Sequence, residues 1–330
     1  MIQTTAPGFR SGFVTVVGRP NVGKSTLVNR LVGQKVSIVS DRPQTTRATI
    51  RGVRTTDESQ IVFVDTPGLH RPRTLLGERT NQRARASLDE VDVICVVVEA
   101  NASYGPGDRF AADLAHAVDT PSVLVVNKLD VASPDEVLDH LASAAGRLGE
   151  FDAYVPCSAL TGDGVDGLVA ELEARMPVGP QYFPDGVVTD QPETFLAAEL
   201  VREQLLRVAR EELPHSIAVT VEIDDDLPDV PRRGRGARAG ADGDADADGD
   251  ADAEVDELLR LLVVIRVERD SQKGIVIGKG GAVLKEALTN ARRELEALLG
   301  TRVFMETKVR VDRDWQRRPQ ALDRLGFTDR

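Results

Sequence analysis

Four short motifs in a fixed order constrain this chain more than any other feature. Residues 18–25 read GRPNVGKS, a phosphate-binding loop of the form G-x-x-x-x-G-K-[ST]. DTPG follows at Asp65–Gly68, NKLD at Asn127–Asp130 and SAL at Ser158–Leu160. The apolar run Phe13–Val17 before the first motif reads as a short strand of the buried parallel type. The spacing of apolar residues after Lys24 reads as a helix. In that strand–loop–helix context the loop N–H groups and the helix N-terminus surround phosphates. Lys24 then reaches the β- and γ-oxygens, and Ser25 offers its hydroxyl to Mg²⁺. Asp65 closes a second apolar strand, Ile61–Val64, and is the acid expected at the metal.

The third motif reports the base. Asn127 and Asp130 follow the strand Val123–Val126. A carboxylate at Asp130 accepts from the ring N–H and exocyclic amine of guanine. Adenine offers no such donor pair, and the carboxylate left unpaired would cost about 1–3 kcal/mol. Ser158 and Ala159 follow the strand Ala153–Cys157, where a backbone N–H faces the guanine carbonyl. The expected nucleotide set is therefore Gly18, Asn21, Val22, Gly23, Lys24, Ser25 and Thr26, with Asp65, Thr66, Pro67, Gly68 and Leu69. Asn127, Lys128, Leu129, Asp130, Ser158, Ala159 and Leu160 complete it. Any one motif alone is weak evidence. Together, each at the carboxyl end of an apolar strand, they follow the rule for ligand placement in open α/β sheets. Asn127 and Asp130 weigh against a metabolic kinase or an ATPase.

The 330 residues suggest two domains. Residues 1–11 read as a tail. Residues 12–176 alternate strand and helix patterns, which implies a mostly parallel sheet covered on both faces, a three-layer α/β P-loop GTPase domain. Residues 177–192, rich in Pro and Gly, read as a linker. Residues 193–315 form a smaller α+β domain, and 316–330 a C-terminal tail. In the second domain, 193–212 has helical spacing, and Ile217, Val219, Val221 and Ile223 alternate like a half-buried strand. Leu258–Val267 is a second strand. GIVIGKGG at 274–281 precedes a helix marked by Leu284, Leu288, Ala291, Leu295 and Leu298, and Val303–Val311 is the last strand.

A net charge of −12 would argue against a nucleic-acid partner, but eight acidic residues lie in 241–256, ADGDADADGDADAEVD. Without them the balance is about −4. The segment from about 224 to 256 reads as a disordered acidic insertion, since it lacks the apolar residues needed to order itself. Cys95 and Cys157 lie in apolar runs and read as buried reduced thiols, which fits a cytoplasmic protein. No apolar run approaches the ~20 residues of a membrane span.

The order α-β-β-α-α-β, with Gly278-Lys279-Gly280-Gly281 between its central helices, resembles the type II KH fold. Its glycine loop lets the backbone approach the phosphates of about four single-stranded nucleotides, with bases on the adjoining apolar groove. The RNA-binding set is Lys273, Gly274, Ile277, Gly278, Lys279, Gly280, Gly281 and Lys285, the lysines supplying charge. Both halves together resemble the Era GTPases of bacteria and organelles. The matching stretches include GRPNVGKSTLVNRLVGQKVSIVS, RPQTTRATIRG, DTPGLH, NKLD, TDQPETFLAAELVREQLL and QKGIVIGKGGAVLK. They cover nearly the whole chain.

The resemblance implies a Ras-like, Mg²⁺-dependent GTPase whose KH domain binds the 3′ end of 16S ribosomal RNA. It implies a role in 16S rRNA processing and 30S subunit assembly. It also implies a monomer in the cytoplasm, with GTP and GDP as ligands; the family includes peripheral association with the cell membrane, for which this sequence offers no basic amphipathic helix or lipidation motif. By position, the catalytic set is Lys24, Thr46, Asp65 and Gly68, and the metal set is Ser25, Thr46 and Asp65, with Thr45 the alternative to Thr46. Asn21 resembles the asparagine that helps hold K⁺ in related GTPases. Leu69 stands where many GTPases place a water-orienting glutamine. His70 is read as a surface or packing residue, so catalysis rests on positioning and electrostatics, with a slow intrinsic rate. Trp315 is read as packing against the last strand, with base stacking the alternative. A second reading makes the smaller domain a dock for protein or membrane, its glycine loop only a turn.

Deleting residues 228–254 is expected to leave the melting temperature and GTP hydrolysis nearly unchanged, as thermal unfolding and phosphate release would read. A large fall in melting temperature would show a packed segment.

Overall fold

The structure, a computed structural model, describes residues 8–40, 45–68, 74–88, 90–209, 217–224 and 258–328. The acidic insertion, Leu69 and His70 lie outside the described residues.

The first domain is a six-stranded sheet in the order β2-β3-β1-β4-β5-β6. Its strands are β1 (Arg10–Val17), β2 (Ile50–Thr55), β3 (Ser59–Asp65), β4 (Val93–Glu99), β5 (Ser122–Asn127) and β6 (Ala153–Pro156). β2 pairs antiparallel with β3, and every other pairing is parallel. Strands buried on both faces are continuous apolar runs, which is why this sheet is legible as one. Alternate residues feed two cores. Val14, Val16, Ile61, Phe63, Cys95, Val97 and Val125 meet α1 (Lys24–Val32) and α5 (Val165–Arg175). Val17, Ile94, Val96, Val98, Leu124 and Val126 meet α2 (Leu75–Ala86), α3 (Pro106–His116) and α4 (Pro134–Leu148). Cys95 and Cys157 are buried free thiols, and burial pushes each up to about 12.

The parallel topology sends every motif to one edge. The phosphate loop leaves β1, Asp65 ends β3, Asn127 ends β5 and Ser158 follows β6. Glycine is required at the loop's turn: Gly23 has φ +97°, and a Cβ there would sit 2.3 Å from Asn127 Nδ2.

The linker is strapped to the first domain. Buried Gln60 accepts from the Tyr182 and Phe183 N–H groups at 2.7 and 2.9 Å and donates to the Phe183 carbonyl at 2.9 Å. Val53 N–H donates to the Val188 carbonyl at 2.8 Å. Then come α6 (Glu193–Val208), β7 (Ala218–Ile223), β8 (Leu258–Val267), α7 (Asp270–Ile277), α8 (Ala282–Leu299) and β9 (Arg302–Val311). β7 is antiparallel and β9 parallel to the central β8. Odd-numbered residues from Leu259 to Val267 face the helices, and of the alternating set read from the sequence Ile217, Val219 and Val221 join them while Ile223 is exposed.

Two expectations need correction at the C-terminus. The stretch from 316 is not a free tail: Trp315–Arg317 is a 3₁₀ turn and Pro319–Arg324 is a helix, α9. Arg79 of α2 pairs with Asp323 at 2.8 Å, and Arg83 donates to the Thr328 carbonyl at 2.8 Å. Trp315 does pack rather than lie open, but not against the last strand. It is fully buried in a cluster with Leu76 of α2, Ala218 of β7 and Leu322 of α9, with the Arg47 guanidinium 5.8 Å from its ring centre. The physical reason is that an indole this large needs the apolar surface of both domains to cover it.

Trp315→Ala is expected to cost about 3–5 kcal/mol. Equilibrium denaturant unfolding of the full chain would read the loss.

Candidate functional site

The motif-bearing edge opens into a cleft of about 490 Å³. Asn21, Gly23, Lys24, Ser25, Thr26, Thr45, Thr46, Gly68, Asn127, Lys128, Asp130 and Leu160 line it. Gly68 sits against Pro20, whose Cα would lie 3.1 Å from an added Cβ, so a side chain there would press on the phosphate loop. Residues 38–40 add a wall that the motifs did not indicate.

Lys24 is buried, with Nζ donating to the Gly18 and Arg19 carbonyls at 3.0 and 2.9 Å. Burial pulls its ammonium down to about 8, the nearby Asp65 carboxylate opposing and Arg19 adding to the fall. Asp65 is fully buried, and burial raises its carboxyl while a hydrogen bond from the Ser37 hydroxyl and the charge of Lys24 lower it. The Ser25 and Thr46 hydroxyls lie 3.0 Å apart beside it. Asp65 Oδ1 is enclosed yet has no hydrogen-bond partner. An enclosed carboxylate oxygen next to two hydroxyls is a hard-oxygen donor set, and it fits Mg²⁺. Of the threonine pair, Thr46 is the one whose side chain joins this set.

The base end departs in part from expectation. Asp130 is exposed at the cleft and is held by the Ser158 hydroxyl. The backbone donors expected for the guanine carbonyl are engaged elsewhere. Ser158 N–H donates to the Asp163 carbonyl at 2.8 Å, and Ala159 N–H donates to Asn127 Oδ1 at 2.9 Å. Asn127 is itself buried, with Nδ2 donating to the Val22 carbonyl at 2.8 Å. Its amide thus ties loops together at the wall of the cleft that it lines. Val22 is core, and the Thr66 hydroxyl is spent on the Val16 carbonyl at 2.8 Å. Pro67 lies by a small gap with Thr46 and Thr80.

Two contributors escaped the motifs. Ser37 sits in no pattern that would mark it. Glu99 does have a signal, since it ends β4 as Asp65 ends β3. It pairs with both Lys128 and Arg19, and Arg19 also bonds Asp108 at 3.0 Å.

The glycine loop of the second domain is a separate surface. Gly278, Gly280 and Gly281 have φ of +72°, +60° and +80°. An added Cβ at Gly278 would strike Val283 Cγ2 at 2.5 Å, whereas at Gly280 and Gly281 it would meet nothing within 4 Å. Gly278 is thus required by packing, and the outer pair by backbone conformation, leaving bare main chain open to solvent. Lys279 and Lys285 are exposed, Lys273 and Ile277 are half-buried, and Gly274 is exposed on α7.

Comparison with known proteins agrees with both halves. Residues 13–128 match a family described as 50S ribosome-binding GTPase, and residues 250–316 match the KH domain family. The chain is 48% identical over 321 residues to GTPase Era of Mycobacterium sp. strain JLS, covering 97% of this chain and 99% of the relative. It is 47% identical over 322 residues to GTPase Era of Mycobacterium tuberculosis strain H37Ra, with the same coverage. The crystal structure of Era with MgGDPNP and nucleotides 1506–1542 of 16S ribosomal RNA matches with TM-score 0.85 and 36% identity, over 97% of this chain and 99% of that one. A variant of Aquifex aeolicus Era bound to GDP·AlF₄⁻ matches at TM-score 0.84 and 36% identity, over 97% and 100%.

With the Ser158 and Ala159 donors engaged, base choice should rest on Asp130. Asp130→Asn is expected to move preference from GTP toward xanthosine triphosphate, because an amide donates where the carboxylate accepted. Competition binding with the two triphosphates checks it; unchanged discrimination would refute the assignment.

Proposed function

Because the chain belongs to the Era family of GTPases, we propose that it is a GTP-driven switch that binds the 3′ end of 16S ribosomal RNA through its KH domain. Its role is then in 16S rRNA processing and assembly of the 30S subunit. The observation that carries this reading is the full-length likeness to an Era held with both MgGDPNP and that RNA.

The residues divide the work by their chemistry. The phosphate loop N–H groups and Lys24 hold the β- and γ-phosphates, and Asp130 selects guanine. Ser25, Thr46 and Asp65 would hold Mg²⁺, which when bound would neutralise charge on the phosphates. Thr46 and Gly68 sense the γ-phosphate from the two segments that change order with it. Leu69 cannot orient a water, so the chain's own residues accelerate hydrolysis by placement and electrostatics, and the rate is slow. K⁺ beside Asn21 would add positive charge on the same side. The chain acts as a monomer in the cytoplasm, and peripheral contact with the membrane surface would need no spanning segment. Among the described residues no helix is long and apolar enough to cross a membrane.

In the second domain the exposed backbone at Gly280 and the half-buried Gly281, beside Lys279 and Lys285, supports close approach of RNA phosphates. Replacing Lys279 and Gly280 together by Asp is expected to abolish binding of single-stranded 16S 3′-end RNA at fixed, moderate salt. GTP binding and hydrolysis should persist, since those residues lie in the other domain. A filter-binding assay reads the first, and a melting curve verifies folding. Wild-type RNA affinity in the variant would leave the second domain as a protein dock.

A further inference from the structure

Helix α6 buries three consecutive polar side chains, Arg202, Glu203 and Gln204. Neighbours on a helix point in different directions, so their joint burial means that α6 is covered nearly all round. One side is the KH core, through Leu200, Val201 and Leu205. The other is the segment between α1 and β2 of the GTPase domain. Glu203 accepts from the Val39 N–H at 2.9 Å through Oε1, and its Oε2 pairs with Lys35, which also reaches Glu294 of α8. Arg202 donates to the Thr45 carbonyl, while Glu199 holds the guanidinium from the same helix. Two main-chain grips thus lie on either side of residues 41–44. The second is on the residue adjoining Thr46, whose hydroxyl stands 3.0 Å from Ser25.

We propose that Arg202 and Glu203 are positioning residues for the nucleotide site, holding from the KH domain the backbone that sets Thr46 at the metal and γ-phosphate. The inference rests on the assignment of Ser25 and Thr46 to Mg·GTP. It gives the VRE stretch at 201–203 a purpose that RNA binding does not require. Its physical content is pre-ordering. A backbone already held at Val39 and at Thr45 loses less freedom when the triphosphate and metal capture Thr46. GDP has no γ-phosphate for that segment to meet, so the effect is selective for the triphosphate.

The test measures affinity of the full chain for a non-hydrolysable GTP analogue and for GDP, each with Mg²⁺ and with chelator. Hydrolysis and melting temperature are followed in parallel. Arg202→Met and Glu203→Ala should each weaken the Mg²⁺-dependent affinity for the GTP analogue about tenfold. Affinity for GDP should stay near wild type, and the melting temperature shows that each variant is folded at the assay temperature. Glu203→Gln keeps the oxygen that accepts from Val39 and should recover most of the loss. Arg51→Ala, which removes an exposed ion pair with Asp190 at the linker, should leave the GTP-to-GDP ratio unchanged. Thr46→Ala is the reference for the site itself. If it shifts the ratio while Glu203→Ala does not, or lowers both affinities equally, the positioning role falls and the site stands. If Thr46→Ala leaves the ratio unchanged, the site assignment falls. Should Arg202→Met unfold the chain by stranding Glu199, the Glu203 pair of variants decides.

Discussion

One buried amide holds the nucleotide edge of this protein together. Asn127 donates to the Val22 carbonyl in the phosphate loop and accepts from the Ala159 N–H in the loop after β6. Loops that leave three different strands are thereby fixed to one another at about 2.9 Å. Loop backbone is ordinarily the most mobile part of a domain, because few apolar contacts restrain it. Here the restraint is polar and enclosed, and a buried amide left without partners would be costly enough to enforce it. Gly23 follows from the same contact, since any side chain there would collide with the amide nitrogen. In the register of β4 with β5, Glu99 lies beside Asn127. The acid gathers Lys128 and Arg19 on the same edge, so the parallel pairing places both the tie and the charge network.

The floor of the cleft is electrostatically incomplete in a directed way. Lys24 and Asp65 are both enclosed, and burial disfavours the charged form of each. Each partly offsets the other's penalty. Two charges held in a poor solvent respond strongly to a ligand that brings opposite charges in the right places. Phosphates beside Lys24 and a divalent cation beside Asp65 would do that together. The Ser37 hydroxyl on Oδ2 leaves Oδ1 as the carboxylate oxygen that still lacks a partner.

The sequence made the sheet, the motif order and the KH frame legible because each rests on local chemistry. Continuous apolar runs specify strands buried on both faces, alternation specifies the half-buried ones, and glycines mark the turns that need positive φ. The misreadings all concern contacts between distant parts of the chain. Nothing near Ser37 indicates that its hydroxyl meets Asp65. Asn127 belongs to the base motif and lines the cleft, but its motif does not show that its amide also bonds partners 105 and 32 residues away. The C-terminal stretch looks like a tail since its apolar residues, Trp315, Leu322 and Phe327, are few and find their complement on α2 of the other domain. Helical spacing around Arg202 and Glu203 names no partner for them, and the partners, Thr45 and Val39, lie on the opposite domain.

The contacts between the two domains are of two physical kinds, and the difference bears on switching. Around Trp315 the interface is apolar, with Leu76, Ala218 and Leu322, and such contact weakens only gradually with small displacements. Around residues 199–203 of α6 it is made of hydrogen bonds and ion pairs, which need near-ideal distance and angle and are lost over about an ångström. The first kind keeps the domains attached; the second responds to the exact course of the backbone at Val39 and Thr45. Arg47 connects them, donating to the Ile217 carbonyl at 2.6 Å while lying over the Trp315 ring. By thermodynamic linkage, whatever ligand favours the gripped backbone is itself favoured by the grip. A ligand of the KH domain that shifts α6 therefore has a direct mechanical route to the residue beside Thr46, running through a few main-chain hydrogen bonds.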